Sequence, residues 1–228
     1  IYRDPYENKT VVPQRNEIHL NDEQQKAFEN MLGQYSSGMG GATLLYGITG
    51  SGKTMVYLRL IDKMLDKGKN VIVMVPEIAL TPQTLNLFMS RYGREVAVFH
   101  SALSAGQRLD EWKRVRNENV RIVVGTRSAV FAPLENLGLI IIDEEQEHTY
   151  KSEQTPRYSA KDVARFRCAY HKALLVFSSA TPSIETFAKA QAGQYTINRL
   201  SKRYSSSVLP EVRIVDMLTE ALSQSSNC

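Results

Sequence analysis

Short, nearly continuous apolar runs alternate along this chain with stretches in which apolar residues recur every three or four positions. The runs lie at 43–46, 71–75, 96–99, 122–124, 139–142 and 174–177. Strands covered on both faces have this character, because neither set of alternating side chains meets water. Between them, 55–67 has a helical period and stops at Gly68, 104–117 opens on Ser104-x-x-Gln107, and 159–170 opens on Ser159-x-x-Asp162. Such openings satisfy the first N–H groups of a helix from a side chain. Upstream, Asn21 precedes two acids and the apolar positions Ala27, Phe28, Met31 and Leu32, which predicts an N-capped helix followed by a loop from Gly33 to Gly41. Strands alternating with helices imply an α/β fold with a mostly parallel sheet and helices on both faces.

Residues 1–19 are polar, carry Pro5 and Pro13, and read as a linker or arm; 20–200 form the main lobe. From 201 to 228 periodicity fades, which reads as a linker toward a further domain. Within 228 residues, 43% hydrophobic and 23% charged, no apolar run approaches the roughly 18 residues of a membrane span, so no membrane partner is expected. The two cysteines, Cys168 and Cys228, lack metal-type spacing, so zinc is not assigned, and with no signal-like segment a cytoplasmic setting is expected. A net charge of +4 tolerates a polyanionic partner without requiring one. Arg108, Lys113, Arg114 and Arg116 read as a solvated helix face.

The chemistry concentrates in three places. Gly47-Ile48-Thr49-Gly50-Ser51-Gly52-Lys53-Thr54 is a complete P-loop between a predicted strand and a predicted helix. Its glycines let backbone N–H groups converge on phosphates, Lys53 neutralises phosphate oxygens and the Thr54 hydroxyl can ligate Mg²⁺. This predicts ATP and Mg²⁺ binding in a P-loop NTPase fold. Next, the run at 139–142 delivers Asp143 and Glu144 at the sheet edge where parallel folds keep their ligands; Asp143 would hold Mg²⁺ and Glu144 would activate the attacking water. Finally, Ser179-Ala180-Thr181 ends a third run with small hydroxyl residues.

In this chain order the three segments resemble the first RecA-like lobe of superfamily 2 helicases and translocases. Val75-Pro76-Glu77-Ile78-Ala79-Leu80-Thr81-Pro82-Gln83, Phe99-His100-Ser101, the stretch 125–133 and Pro156-Arg157-Tyr158-Ser159-Ala160-Lys161-Asp162 narrow the resemblance to the DEAH-like PriA family of replication-restart helicases, over about residues 20–217. That resemblance implies a DNA-dependent ATPase moving 3′ to 5′ on single strands at stalled bacterial forks. Its implied partners are single-stranded and forked DNA, a second helicase lobe of the same protein, and primosome and single-strand-binding proteins.

Position by position, the resemblance gives Gln24 adenine recognition, and Pro76, Glu77, Thr81, Gln83, Thr126, Arg127 and Ser128 contacts to the DNA backbone. Tyr150, Lys151, Arg157 and Tyr158 match an aromatic-rich DNA loop, and Ser179 and Thr181 a relay between nucleotide and DNA. Gln146 stands where the family usually has histidine; it can donate and accept hydrogen bonds but cannot become a cation. Without a second lobe to supply an arginine finger, the chain is expected to turn ATP over poorly. Two other readings remain open: a lobe of another superfamily 2 DNA translocase from repair or restriction, and a module that binds ATP without hydrolysing it.

Overall fold

A computed structural model of the chain describes residues 13–38, 40–117 and 120–204. In order, the chain forms α1 (Asp22–Ser36), β1 (Gly41–Gly47), α2 (Lys53–Asp66), β2 (Asn70–Met74), α3 (Pro82–Tyr92), β3 (Val96–Phe99), α4 (Ala105–Asn117), β4 (Ile122–Gly125) and β5 (Leu137–Asp143). There follow β6 (Lys151–Ser152), β7 (Tyr158–Ser159), α5 (Ala160–His171), β8 (Leu174–Ser179), α6 (Ile184–Gln191) and β9 (Thr196–Leu200). Among the described residues, seven parallel strands make one sheet in the order β3-β4-β2-β5-β8-β1-β9, and β6 and β7 make a small antiparallel ribbon.

Because side chains alternate across a strand, each central strand feeds two cores. Val71, Val73, Leu139 and Ile141 pack with α1, α2 and α3 on one face, while Ile72, Met74, Ile140 and Ile142 pack with residues of α4, α5 and α6 on the other. The predicted runs are therefore strands with two dry faces. The predicted caps also form: Asn21 and Gln24 make a reciprocal capping box on α1, Ser104 and Gln107 do so before α4, and the Ser159 hydroxyl accepts from the Asp162 N–H at the start of α5.

Four expectations change. The helix expected to end at Gly33 runs on to Ser36, since Met31 and Phe28 anchor it in the core, and the chain leaves it at Gly38 with φ +75. Stretch 81–83, read only as a DNA-contacting motif, also starts a helix: Thr81 caps α3 and Pro82 occupies its first turn. Arg114 is buried rather than solvated, pairing with the fully buried Glu111 at 3.3 Å and donating to the Val96 carbonyl at 3.0 Å. Lastly, the arm, expected to lie over the surface, sends Ile18 into the core; its other described contacts run along α3 and the turn after it, where Arg15 pairs with Glu95 at 2.9 Å and the Asn16 carbonyl accepts from Arg91 at 2.8 Å.

Candidate functional site

Strand β8 lies between β1 and β5, and the register places Tyr46 opposite Ser179 and Asp143 opposite Ser178. All three chemical segments therefore end at one edge of the sheet. The P-loop turns from β1 into α2, whose first N–H groups have no acceptor within the helix and whose dipole favours an anion there. Gly52 caps α2 at φ +79, and a Cβ at this position would run into the Gln24 amide and come within 3.3 Å of Tyr204. Only glycine fits that turn without strain.

A cavity of about 320 Å³ opens at this edge, lined by Thr49, Gly50, Gly52, Lys53, Thr54, Asp143, Glu144 and Tyr204. The Lys53 ammonium donates to the Gly47 carbonyl at 2.8 Å; burial pulls its pKa down, and the nearby Glu144 and Asp143 carboxylates oppose that. Tyr57, one turn along α2, holds its hydroxyl 3.3 Å from the Thr54 hydroxyl and 3.4 Å from Asp143 Oδ2. Ser178 donates to Asp143 Oδ1 at 2.7 Å. Burial pushes the Asp143 carboxyl above its ordinary value and Glu144 adds to this, while the Ser178 hydrogen bond counters it. A helix N-terminus, a cation, a hydroxyl and a carboxylate thus face one cavity. This donor set fits a nucleoside triphosphate with Mg²⁺, an ion that takes few protein ligands beside phosphate and water.

Glu144 adopts a left-handed backbone at φ +43, uncommon for a residue with a Cβ. Its carboxylate accepts from Gln146 Nε2 at 2.9 Å, Gln146 Oε1 accepts from the Ser179 hydroxyl at 2.6 Å, and Ser179 Oγ accepts from the Thr181 N–H at 2.9 Å. Gln146 therefore completes an unbroken hydrogen-bonded line from Glu144 to the segment after β8. Glu145, unassigned from sequence, turns the opposite way and is fully buried. It pairs with Lys161 of α5 and accepts from the Ser183 N–H at 2.6 Å, the Ser183 hydroxyl at 3.1 Å and the Thr186 hydroxyl at 2.9 Å.

Two predicted site residues are placed otherwise than expected. Gln24 is fully buried, its Nε2 donating to the Ser51 carbonyl at 2.8 Å and its Oε1 accepting from the Asn21 N–H at 3.0 Å. The amide nitrogen thus ties α1 to the P-loop, while the amide oxygen is spent on the cap of α1 itself. Tyr150 is 1% exposed, with its hydroxyl 2.6 Å from the Asp143 carbonyl and 3.1 Å from that of Met74. A short helical turn at His148–Tyr150 tucks the ring under the acids, so it has no face open to a DNA base; it is a strut.

The remaining DNA candidates follow β2, β4 and the ribbon. Pro76 is buried, whereas Glu77, Thr81 and Gln83 are exposed beyond β2. Thr126 is buried, Ser128 is exposed, and Arg127 donates to the Lys151 carbonyl at 2.9 Å, joining the β4 edge to the ribbon. Lys151 and Arg157 are exposed, and Tyr158 packs edge-on against Phe131 at 4.9 Å between centroids. Sequence reasoning missed Tyr57, Glu145, Ser178 and Tyr204. A signal existed for Ser178 alone, beside Ser179 at the end of a strand.

The DEAD/DEAH box helicase family matches residues 21–190. The chain is 50% identical over 220 residues to the replication restart protein PriA of Bacillus subtilis, spanning 96% of this chain and 27% of that protein. It is 42% identical over 202 residues to PriA of Chlamydia pneumoniae, spanning 88% of this chain and again 27% of the relative. Among solved structures, RecG bound to a three-way DNA junction aligns with a TM-score of 0.61 at 24% identity, over 85% of this chain and 25% of that one. The Hef helicase domain of Pyrococcus furiosus aligns at 0.58 and 18% identity, over 84% and 40%. These two likenesses concern the fold.

Proposed function

Since this chain belongs to the DEAD/DEAH box helicases, we propose that it is the ATP-binding first lobe of a DNA helicase that acts at stalled replication forks, in the manner the name of its PriA relatives suggests. The chain spans about a quarter of those relatives, so a second lobe in the longer protein would supply the arginine finger. In this reading hydrolysis drives 3′ to 5′ movement on single-stranded DNA in a bacterial cytoplasm, and primosome and single-strand-binding proteins are partners.

The observation that carries the reading is the convergence of Lys53, Thr54, Asp143 and Glu144 on one cavity. Lys53 and the N–H groups at the start of α2 hold the phosphates. Thr54 and Asp143, kept in place by Tyr57 and Ser178, would hold Mg²⁺, which when bound neutralises charge on the β- and γ-phosphate oxygens. Glu144 takes the proton of the attacking water. Gln146, Ser179 and Thr181 link that carboxylate to the segment after β8, a route by which DNA occupancy can reach the base. Lys151, Arg157, Arg127 and Thr81 contact the DNA backbone without reading sequence.

Mg-ATP binding and turnover by this chain, with and without forked DNA and with Lys53→Ala as the blank, test the proposal. Binding that Lys53→Ala abolishes, with slow turnover, is expected. Brisk DNA-stimulated hydrolysis by the chain alone would overturn the half-site reading, and unaltered ATP affinity in Lys53→Ala would overturn the site.

A further inference from the structure

The phosphate end of the cavity is amply furnished, but a nucleoside triphosphate also has a flat, largely apolar base. Of the residues lining the cavity, Tyr204 is the sole aromatic among those described. The residue is 51% exposed, and its ring stands close enough to the P-loop turn that a Cβ at Gly52 would come within 3.4 Å of it. The segment carrying it is fastened at both ends. After β9 the Ser201 N–H and hydroxyl reach the Glu23 carboxylate at 2.8 and 2.5 Å, and the Lys202 N–H reaches it at 3.1 Å. The Tyr204 N–H then donates to the Gly50 carbonyl of the P-loop at 2.8 Å. Backbone from beyond β9 is thus laid along the nucleotide cavity, with one aromatic ring at its rim.

Gln24 does not furnish the base site as placed, because both of its polar ends are engaged within the fold. Resting on the nucleotide reading above, we propose that Tyr204 is the base-stacking residue of this site, its ring covering the face of the purine of a bound nucleoside triphosphate. Stacking requires a planar partner and no particular edge, so it favours nucleotides over bare polyphosphate and discriminates weakly between bases. Glu23, through Ser201 and Lys202, is the positioning residue that holds the segment there.

The test is equilibrium binding to the 228-residue chain of two Mg²⁺-saturated probes, ATP and inorganic tripolyphosphate, across Tyr204→Ala, Tyr204→Phe and Lys53→Ala. Tyr204→Ala should weaken ATP about tenfold and leave tripolyphosphate unchanged, while Tyr204→Phe keeps ATP affinity, because the ring and not the hydroxyl makes the contact. Equal losses for both probes in Tyr204→Ala would mean the ring only shapes the P-loop, and tighter ATP binding would mean it obstructs the cavity; either result overturns the proposal. Lys53→Ala separates the two readings. If it abolishes binding of both probes while Tyr204→Ala changes neither, the nucleotide site stands and the stacking inference alone falls. If Lys53→Ala leaves ATP bound as before, the site itself has been misread and the inference goes with it.

Discussion

Glu144 and Glu145 are chemically identical neighbours that meet opposite surroundings. On the cavity side, Asp143 and Glu144 rest on neutral donors, Ser178, Tyr57 and Gln146, with the Lys53 ammonium nearby but bonded to the Gly47 carbonyl. On the other side, Glu145 is enclosed by a lysine, two hydroxyls and a backbone N–H, and ties β5 to both α5 and α6. One side of the turn leaves carboxylate capacity open for a ligand; the other consumes it in holding the fold. The difference shows how a strained site is kept. Glu144 sustains its left-handed backbone because the next residue is anchored, its N–H donating to the Ser178 carbonyl at 3.1 Å and its side chain pinned by four donors.

The comparison is broken most strongly at Glu144. In a protein that joins this lobe to the second lobe proposed above, Glu144→Gln should retain ATP affinity and melting temperature while steady-state turnover falls by at least about 10²-fold, the usual contribution of a positioned base. Normal turnover would move the base elsewhere and erase the contrast between the two glutamates.

Lys161→Met attacks the holding side. It leaves the Glu145 carboxylate buried without its cation, which costs about 3 kcal/mol, the low end of the range because Lys161 itself is 23% exposed. Thermal melting should fall by roughly 6–12 °C. Glu145→Gln added to Lys161→Met should recover much of that loss, because an amide needs no cation. A single variant that melts like the parent would show that the pair holds nothing.

The smallest expected effect sharpens the contrast through pH. Asp143's folded pKa is raised, chiefly by burial, so the fold disfavours its ionised form. Its contribution to stability is complete below the ordinary carboxylate pKa and is lost as pH rises through the folded value. At neutral pH Asp143→Asn should therefore raise the melting temperature, and the gain should shrink as pH falls into the ordinary carboxylate range. A loss of stability at pH 7 would class Asp143 with Glu145 as a holding group.

Much of this was readable along the chain, in particular places. The P-loop, Asp143-Glu144 and Ser179-Ala180-Thr181 are contiguous and were found; the caps at Asn21, Ser104 and Ser159 need only neighbours three residues away, and they form. What escaped was side-chain direction after a strand ends. Period-two alternation stops at Asp143, and the left-handed step at Glu144 redirects Glu145 into the core, which no pattern of letters announces. The family resemblance puts Tyr150 in an aromatic-rich DNA loop, yet one helical turn places it under the acids. Arg114 looked solvated among basic neighbours, but Glu111 and the Val96 carbonyl draw it inward.

The sequence by itself determined the βα alternation, the capped helix starts and the phosphate-binding turn, since each depends on residues within a few positions of one another. Only the tertiary structure decided that Tyr57 stands between Thr54 and Asp143, 86 residues farther on, and that Tyr204 closes back on Gly50. Parallel strand order brings such distant segments to one sheet edge, and burial then sorts identical side chains into those a ligand can reach and those that only hold the turn. Local periodicity carries no trace of that sorting, because it follows from which strands become neighbours.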